Sequence, residues 1–193
     1  MYKSIREKYN IPLDAKIILY VGNISENKNQ RQMVEIFSML PSKLCEQTYV
    51  LFCGNLYDDS LNLKKLISLS SYPDHLILCG SINRDVMPQY YQESDAVALL
   101  SYSEGFGLSL VEGMYYGLPC TMFSDIDAFE DIYNEKVAIA IDNRNNDTVA
   151  KCVESLLDKE WDRNAIKRYS RKFSSREMGM NYVTVYKSVL KQS

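Results

Sequence analysis

The chain alternates short apolar runs with longer stretches in which apolar positions recur every three or four residues. KIILYVGN (16–23) is apolar almost throughout and closes on Gly-Asn, the pattern of a strand buried on both faces. TYVLFCGN (48–55) and HLILCGS (75–81) repeat it, each with a glycine near its end. DAVALLS (95–101), LPCTMF (118–123) and KVAIAID (136–142) complete the predicted strands. Helical patterns fill the intervals. RQMVEIFSML sets Met33, Ile36, Phe37 and Leu40 on one face, and LNLKKLISLSS sets Leu63, Leu66, Ile67 and Ser70 in line. A short helix is predicted near Asp85–Glu93 and another, LSLVEGMYY, after Gly107. Asn146 or Asp147 is placed to cap a helix whose apolar positions are Val149, Cys152, Val153, Leu156 and Leu157. The tail, 161–192, is helical in pattern and carries Met180, Val183, Tyr186 and Leu190.

Strands of this length alternating with helices predict an α/β fold: a doubly wound parallel sheet of about six strands with helices on both faces. In such sheets ligands bind outside the carboxyl ends of the strands. Here those ends are Gly22-Asn23, Gly54-Asn55, Gly80-Ser81, Ser101–Gly107 and Phe123–Asp125. A tight strand-to-helix turn explains any one of these glycines. Three at corresponding ends, followed by a glycine-rich fourth loop, point to a shared ligand cleft.

Composition narrows the class. At 193 residues the chain suits one domain, 1–193, with a substantial core. A net charge of -3 gives no global electrostatic case for nucleic acid. No apolar run approaches the ~20 residues of a membrane span, and MYKSIREKYN lacks an apolar signal core. The expected location is the cytoplasm. Cys45, Cys53, Cys79, Cys120 and Cys152 contain no CxxC pair and read as reduced thiols. His75 is the one histidine, so a multi-histidine metal site is excluded, and its SSYPD turn suggests a surface loop. Arg163, Lys167, Arg168, Arg171, Lys172 and Arg176 form a local basic cluster. It reads first as a solvated helix face; its functional reading is peripheral contact with anionic lipid at the inner membrane face, or with a partner surface.

The chemistry concentrates in SYSEGFGLSLVEGMYYGLPC (101–120). VGNISENKNQ after the first strand lacks the G-x-G-x-x-G dinucleotide fingerprint, and no G-x-x-x-x-G-K-[ST] loop occurs. What remains is Lys28 in the first loop and E-G-F-G in the fourth. A helix opening after Gly107 turns its unpartnered first-turn amides toward the loop mouth, which suits a diphosphate, and Lys28 adds a full charge. Glu104 and Glu112 need not touch phosphate. A carboxylate is an acceptor that can hold a pair of hydroxyls, as on ribose or a hexose. A glycosidase carboxylate pair is the rival reading, but it needs one acid with a raised pKa; two ordinary surface acids are the plain one. Asp125 and Asp127, after the fifth strand, read as turn and capping residues.

ILYVGNISENK, LILCGSINRDVMPQYYQESDAVALLSYSEGFGLSLVEGMYYGLPC and KFSSREMGMNYVTVYKSVL, in that order, resemble the C-terminal domain of the group 1 retaining GT-B glycosyltransferases. The similarity runs from about Ile11 to Leu190, and E-G-F-G-L-x-x-x-E is its specific part. The resemblance implies one Rossmann-like, donor-binding half of a GT-B enzyme, whose N-terminal acceptor domain lies outside this chain. It implies transfer of a hexose from a nucleotide diphosphate sugar to a saccharide or lipid-linked acceptor, as in polysaccharide biosynthesis, with no metal or other cofactor. Glu104 and Lys28 would be the catalytic residues. Glu112 would hold the ribose hydroxyls, and Glu104 those of the donor sugar. Gly22, Asn23, Gly105, Phe106, Gly107 and Leu108 would line sugar and diphosphate, and Ser81, Ile82 and Arg84 would edge the base. Two departures stand out. Asn23 occupies a place where the family usually has a cation, and Asn29 one where glycine commonly follows the lysine. They keep a second reading open, a non-catalytic binding or scaffold module of the same fold.

Overall fold

A computed structural model describes residues 4–55 and 62–190. Its centre is a parallel sheet of β1 (Lys16–Val21), β2 (Thr48–Cys53), β3 (Leu76–Gly80), β4 (Ala96–Leu99), β5 (Cys120–Phe123) and β6 (Ala138–Ile141), in the order β3-β2-β1-β4-β5-β6. The predicted α/β, doubly wound class is therefore the observed one. The chain order reverses between β1 and β4, and that switch point is where such sheets open a crevice. β1 pairs with β2 along its full length, Lys16 opposite Thr48 through Val21 opposite Cys53. It meets β4 only at Ile18–Ala96 and Leu19–Val97, so the strands diverge toward their carboxyl ends.

The helices follow in chain order: α1 (Ile5–Tyr9), α2 (Gln30–Phe37), α3 (Ser42–Glu46), α4 (Leu63–Leu69), α5 (Met87–Glu93), α6 (Leu108–Tyr115), α7 (Phe129–Ile132), α8 (Asn146–Asp158), α9 (Arg163–Ser170) and α10 (Ser175–Leu190). They cover both faces of the sheet. Central strands buried on both faces carry mostly apolar side chains, and Ile17, Ile18, Leu19 and Tyr20 are fully enclosed. Met33, Ile36 and Phe37 of α2 and Val149, Val153 and Leu156 of α8 supply the helical side of the core.

Four expectations change. Asn145, not Asn146 or Asp147, caps α8: its side chain accepts from the Asp147 N–H, which needs the extended backbone found one residue before the helix. His75 is half-buried rather than a free surface residue. Its Nδ1 donates to the Thr48 carbonyl at 2.9 Å, and its ring stacks on Tyr49 at 4.3 Å. Ser70 ends α4 instead of continuing it. Met180 and Val183 of α10 are about half exposed, so the apolar stripe of the tail does not lie on the core. The side chains of Tyr186 and Leu190 lie outside the described residues.

Candidate functional site

Loops leaving the carboxyl ends of β1 and β4 meet across the switch point. Asn27 fastens them. Its side chain accepts from the Ser103 N–H and donates to the Ser103 carbonyl, both at 3.1 Å, while its own carbonyl takes the Tyr102 N–H at 2.8 Å. Beneath this clasp the buried Tyr20 hydroxyl donates to the Lys28 carbonyl and accepts the Leu100 N–H at 2.8 Å. Burial pushes that hydroxyl well above the usual tyrosine range. The backbone on both sides of the crevice is thus pinned.

Lys28 and Glu104 face each other there, Nζ to Oε1 at 2.5 Å. The Lys28 stem lies over Gly22, where an added Cβ would sit 3.4 Å from its Cδ. Glu104 is nearly enclosed. Lys28, read from the sequence as a full charge for a diphosphate, is thus paired with a carboxylate in the structure. A carboxylate already neutralises it, because clasping the two loops brings position 104 within reach of position 28.

Asn23 turns away from the crevice. Its Oδ1 accepts the Asn55 N–H at 3.4 Å and its carbonyl takes the Gln30 amide at 3.1 Å, joining the loops after β1 and β2. This junction is close-packed: a Cβ on Gly54 would stand 2.0 Å from the Gly22 carbonyl oxygen. Asn29 has φ 53° and ψ 36°, a left-handed backbone that asparagine tolerates better than other non-glycine residues. The family's glycine position is thus occupied here by the next best residue for its conformation.

On the far side of the clasp, Gly107 ends the fourth loop in a left-handed turn, φ 70°, and no side chain caps α6. The first bonds inside the helix come from Leu110 and Val111 to the Gly107 carbonyl. The Leu108 and Ser109 amides precede them, the position of orphan donors at a helix start. Leu108 is largely exposed. Phe106 leaves the mouth and packs edge-on against Phe173 at 5.8 Å.

Glu112, one turn further along α6, opens on a hollow of about 390 Å³ lined by Ile82, Arg84, Met87, Tyr91, Tyr115 and Tyr116. Tyr91, buried at the end of α5, donates its hydroxyl to Glu112 Oε2 at 2.7 Å and stacks flat on Tyr116 at 5.4 Å. Burial, then the Glu112 carboxylate, raises the Tyr91 pKa, so the hydroxyl keeps its proton and the carboxylate keeps its orientation. One Glu112 oxygen is so engaged; the other can accept from a ligand.

The structure thus gathers the predicted residues into two neighbouring groups on α6 and its loop. Gly22, Lys28 and Glu104 form one with the helix mouth, and Ile82, Arg84 and Glu112 the other. Asn23 and Phe106 serve packing, and exposed Ser81 does not line the hollow.

Sequence reasoning missed Arg144. Its guanidinium donates to the Ser101 and Tyr102 carbonyls, pairs with Asp125 at 2.8 Å, and lies 4.0 Å from the Phe123 ring centre. Asp125 therefore holds an arginine instead of capping a turn. Arg144 follows β6, so its place at a strand's carboxyl end was the available signal. Among the described residues no group of three or more His, Cys, Asp or Glu is assembled for a metal ion.

The family model for glycosyl transferases group 1 matches residues 1–173. The chain belongs to that family. Among its relatives are the N-acetyl-alpha-D-glucosaminyl L-malate synthase of Bacillus anthracis, 24% identical over 193 residues and covering 97% of this chain and 49% of the relative, and the capsular polysaccharide biosynthesis glycosyltransferase CapM of Staphylococcus aureus, 22% identical over 197 residues and covering 98% and 51%. In structure the chain is similar to Anabaena HepE in complex with UDP and glucose, with a TM-score of 0.77 at 17% identity, over 95% of this chain and 51% of that one; at that identity the likeness bears on the fold alone. The chain spans about half the length of the curated relatives it matches.

Proposed function

We propose that this group 1 chain is the donor-binding half of a retaining glycosyltransferase, transferring a hexose from a nucleotide diphosphate sugar to a saccharide or lipid-linked acceptor. The observation that carries the reading is the arrangement along α6. A carboxylate in a half-apolar hollow, an uncapped helix start and a lysine–carboxylate pair follow one another along the carboxyl edge of the sheet. A nucleoside, a diphosphate and a sugar have that same order.

In this reading Glu112 accepts from the ribose hydroxyls while Tyr91 fixes its other oxygen. Ile82 and Arg84 flank the base. Breaking the glycosidic bond leaves charge on the diphosphate, and the amides opening α6 are oriented before that charge appears. Lys28 adds its ammonium when Glu104 turns to the sugar hydroxyls. These donors suffice without a metal, so chelation by EDTA should leave nucleotide affinity unchanged. Exposed Tyr102 and Leu108 flank the mouth, where an N-terminal domain would close the cleft.

Calorimetric titration with uridine, guanosine and adenosine diphosphates tests the reading. One of them should bind, and Glu112→Ala should weaken it about tenfold, the loss of a charge-assisted hydroxyl contact. Absence of heat with all three would refute the donor-site assignment. A non-catalytic module of the same fold is the second reading. The Lys28–Glu104 pair and the neutral Asn23 in place of a cation favour it, since both leave less free positive charge at the phosphate position.

A further inference from the structure

A second hollow, of about 520 Å³, adjoins the first and shares its Tyr115–Tyr116 wall. Its other lining residues are Gln92, Arg163, Lys167 and Arg171. Arg163 and Lys167 share one face of α9, and Arg171, four residues further, caps its C-terminal end. Among the described residues no carboxylate lines the space. Arg163 is partly neutralised, with one guanidinium nitrogen 3.0 Å from Asp95. Among the described residues Lys167 and Arg171 have no ion-pair partner, whereas Arg168 of the same helix turns outward to Asp162 at 3.5 Å.

The basic lining is also built in. α9 presses on the end of α6 at Gly117, whose φ is 82° and whose missing Cβ would lie 2.8 Å from the Arg163 carbonyl and 3.0 Å from Lys167 Cε. A side chain at 117 would push α9 away. The glycine lets the Lys167 stem lie against it, and Lys167 lines the same hollow as Tyr115 and Tyr116. A solvated basic face would need neither that contact nor the concavity.

We propose that this hollow binds a phosphate-bearing anion of the phosphomonoester or diphosphate class, separately from the donor groups on α6. Lys167 and Arg171 supply charge; Gln92 and the two tyrosine hydroxyls supply hydrogen bonds, and the ring of exposed Tyr115 covers a small organic substituent. The volume exceeds that of a bare phosphate, so an esterified group fits better. A soluble ester and the headgroup of an anionic lipid offer the same chemistry.

Amide NMR of the 193-residue chain separates this site from the donor site. Titration with glycerol phosphate or inorganic pyrophosphate should shift the amides of Gly117, Lys167 and Arg171 in a saturable way. Lys167→Ala with Arg171→Ala, both exposed positions, should weaken those shifts on the order of tenfold, with the rest of the spectrum unchanged. Arg171→Lys alone should largely preserve them. In the second arm, vesicles with and without phosphatidylglycerol are sedimented with each protein. Retention specific to phosphatidylglycerol and lost in the double variant assigns the site to lipid headgroups; NMR shifts without retention assign it to soluble esters. Shifts confined to residues 107–112, or α9 shifts that survive the double substitution, would overturn the proposal without touching the donor site. Failure of nucleoside diphosphates to bind would not touch this one.

Discussion

Lys28 and Glu104 cancel each other's charge across 2.5 Å, and each has its own role in the proposed donor site. A partly buried pair of this kind contributes little net stability, because losing hydration offsets most of the attraction. In the proposed donor site it would act instead as a load that a diphosphate must share. Glu104→Gln keeps the shape and removes the competing charge. We expect it to tighten nucleoside diphosphate binding about three- to tenfold, roughly the ~1 kcal/mol of a partly screened ion pair, while removing most of the added affinity of a nucleotide sugar over its nucleotide. Paired calorimetric titrations read both effects. Unchanged or weaker diphosphate binding would take Lys28 out of the phosphate site. This pair was not legible in the sequence. The two residues were readily picked as candidates, but their meeting depends on Asn27 clasping Ser103 across 76 positions, and no local pattern encodes that. Arg144 was hidden for a related reason: in DNRNND it looks like one more polar turn residue, and only the stacking of β5 beside β6 brings it to Asp125 and Phe123.

At the scale of elements, the strands were the clearest part of the sequence. Parallel strands buried on both faces must be apolar throughout, so KIILYV, TYVLFC and AVAL announce themselves. Their lateral order was not written locally, since each crossover leaves the choice of neighbour to packing. The tail shows the opposite limit. Its helical period was correct, yet Met180 and Val183 are half exposed, because period specifies a face and not what that face meets. The loops after β1 and β2 pack closely where Gly54 meets Gly22. Gly54→Ala would place a methyl 2.0 Å from the Gly22 carbonyl oxygen. The loops must part to admit it, and we expect a loss of about 3 kcal/mol in urea unfolding, at the upper end of ordinary overpacking. A variant as stable as the parent would mean the junction is looser than its geometry indicates.

For the whole molecule, both groups of candidate-site residues lie on one edge of a single sheet, around α6 and the loop before it. A ligand that touches the loops after β1, β3 and β4 therefore binds only the folded arrangement. At a hundredfold excess over its dissociation constant it should add about 2.7 kcal/mol to unfolding, and the thermal midpoint should rise with nucleotide concentration by that law. A midpoint indifferent to nucleotide would contradict binding at the switch point. The clasp at Asn27 carries one more implication. With both sides of the crevice already fastened by three hydrogen bonds between Asn27 and the Tyr102–Ser103 backbone, capture of a guest there would demand no prior search for loop geometry. Its arrival rate should then follow diffusion and solution viscosity, and the entropy lost on capture should belong mostly to the guest.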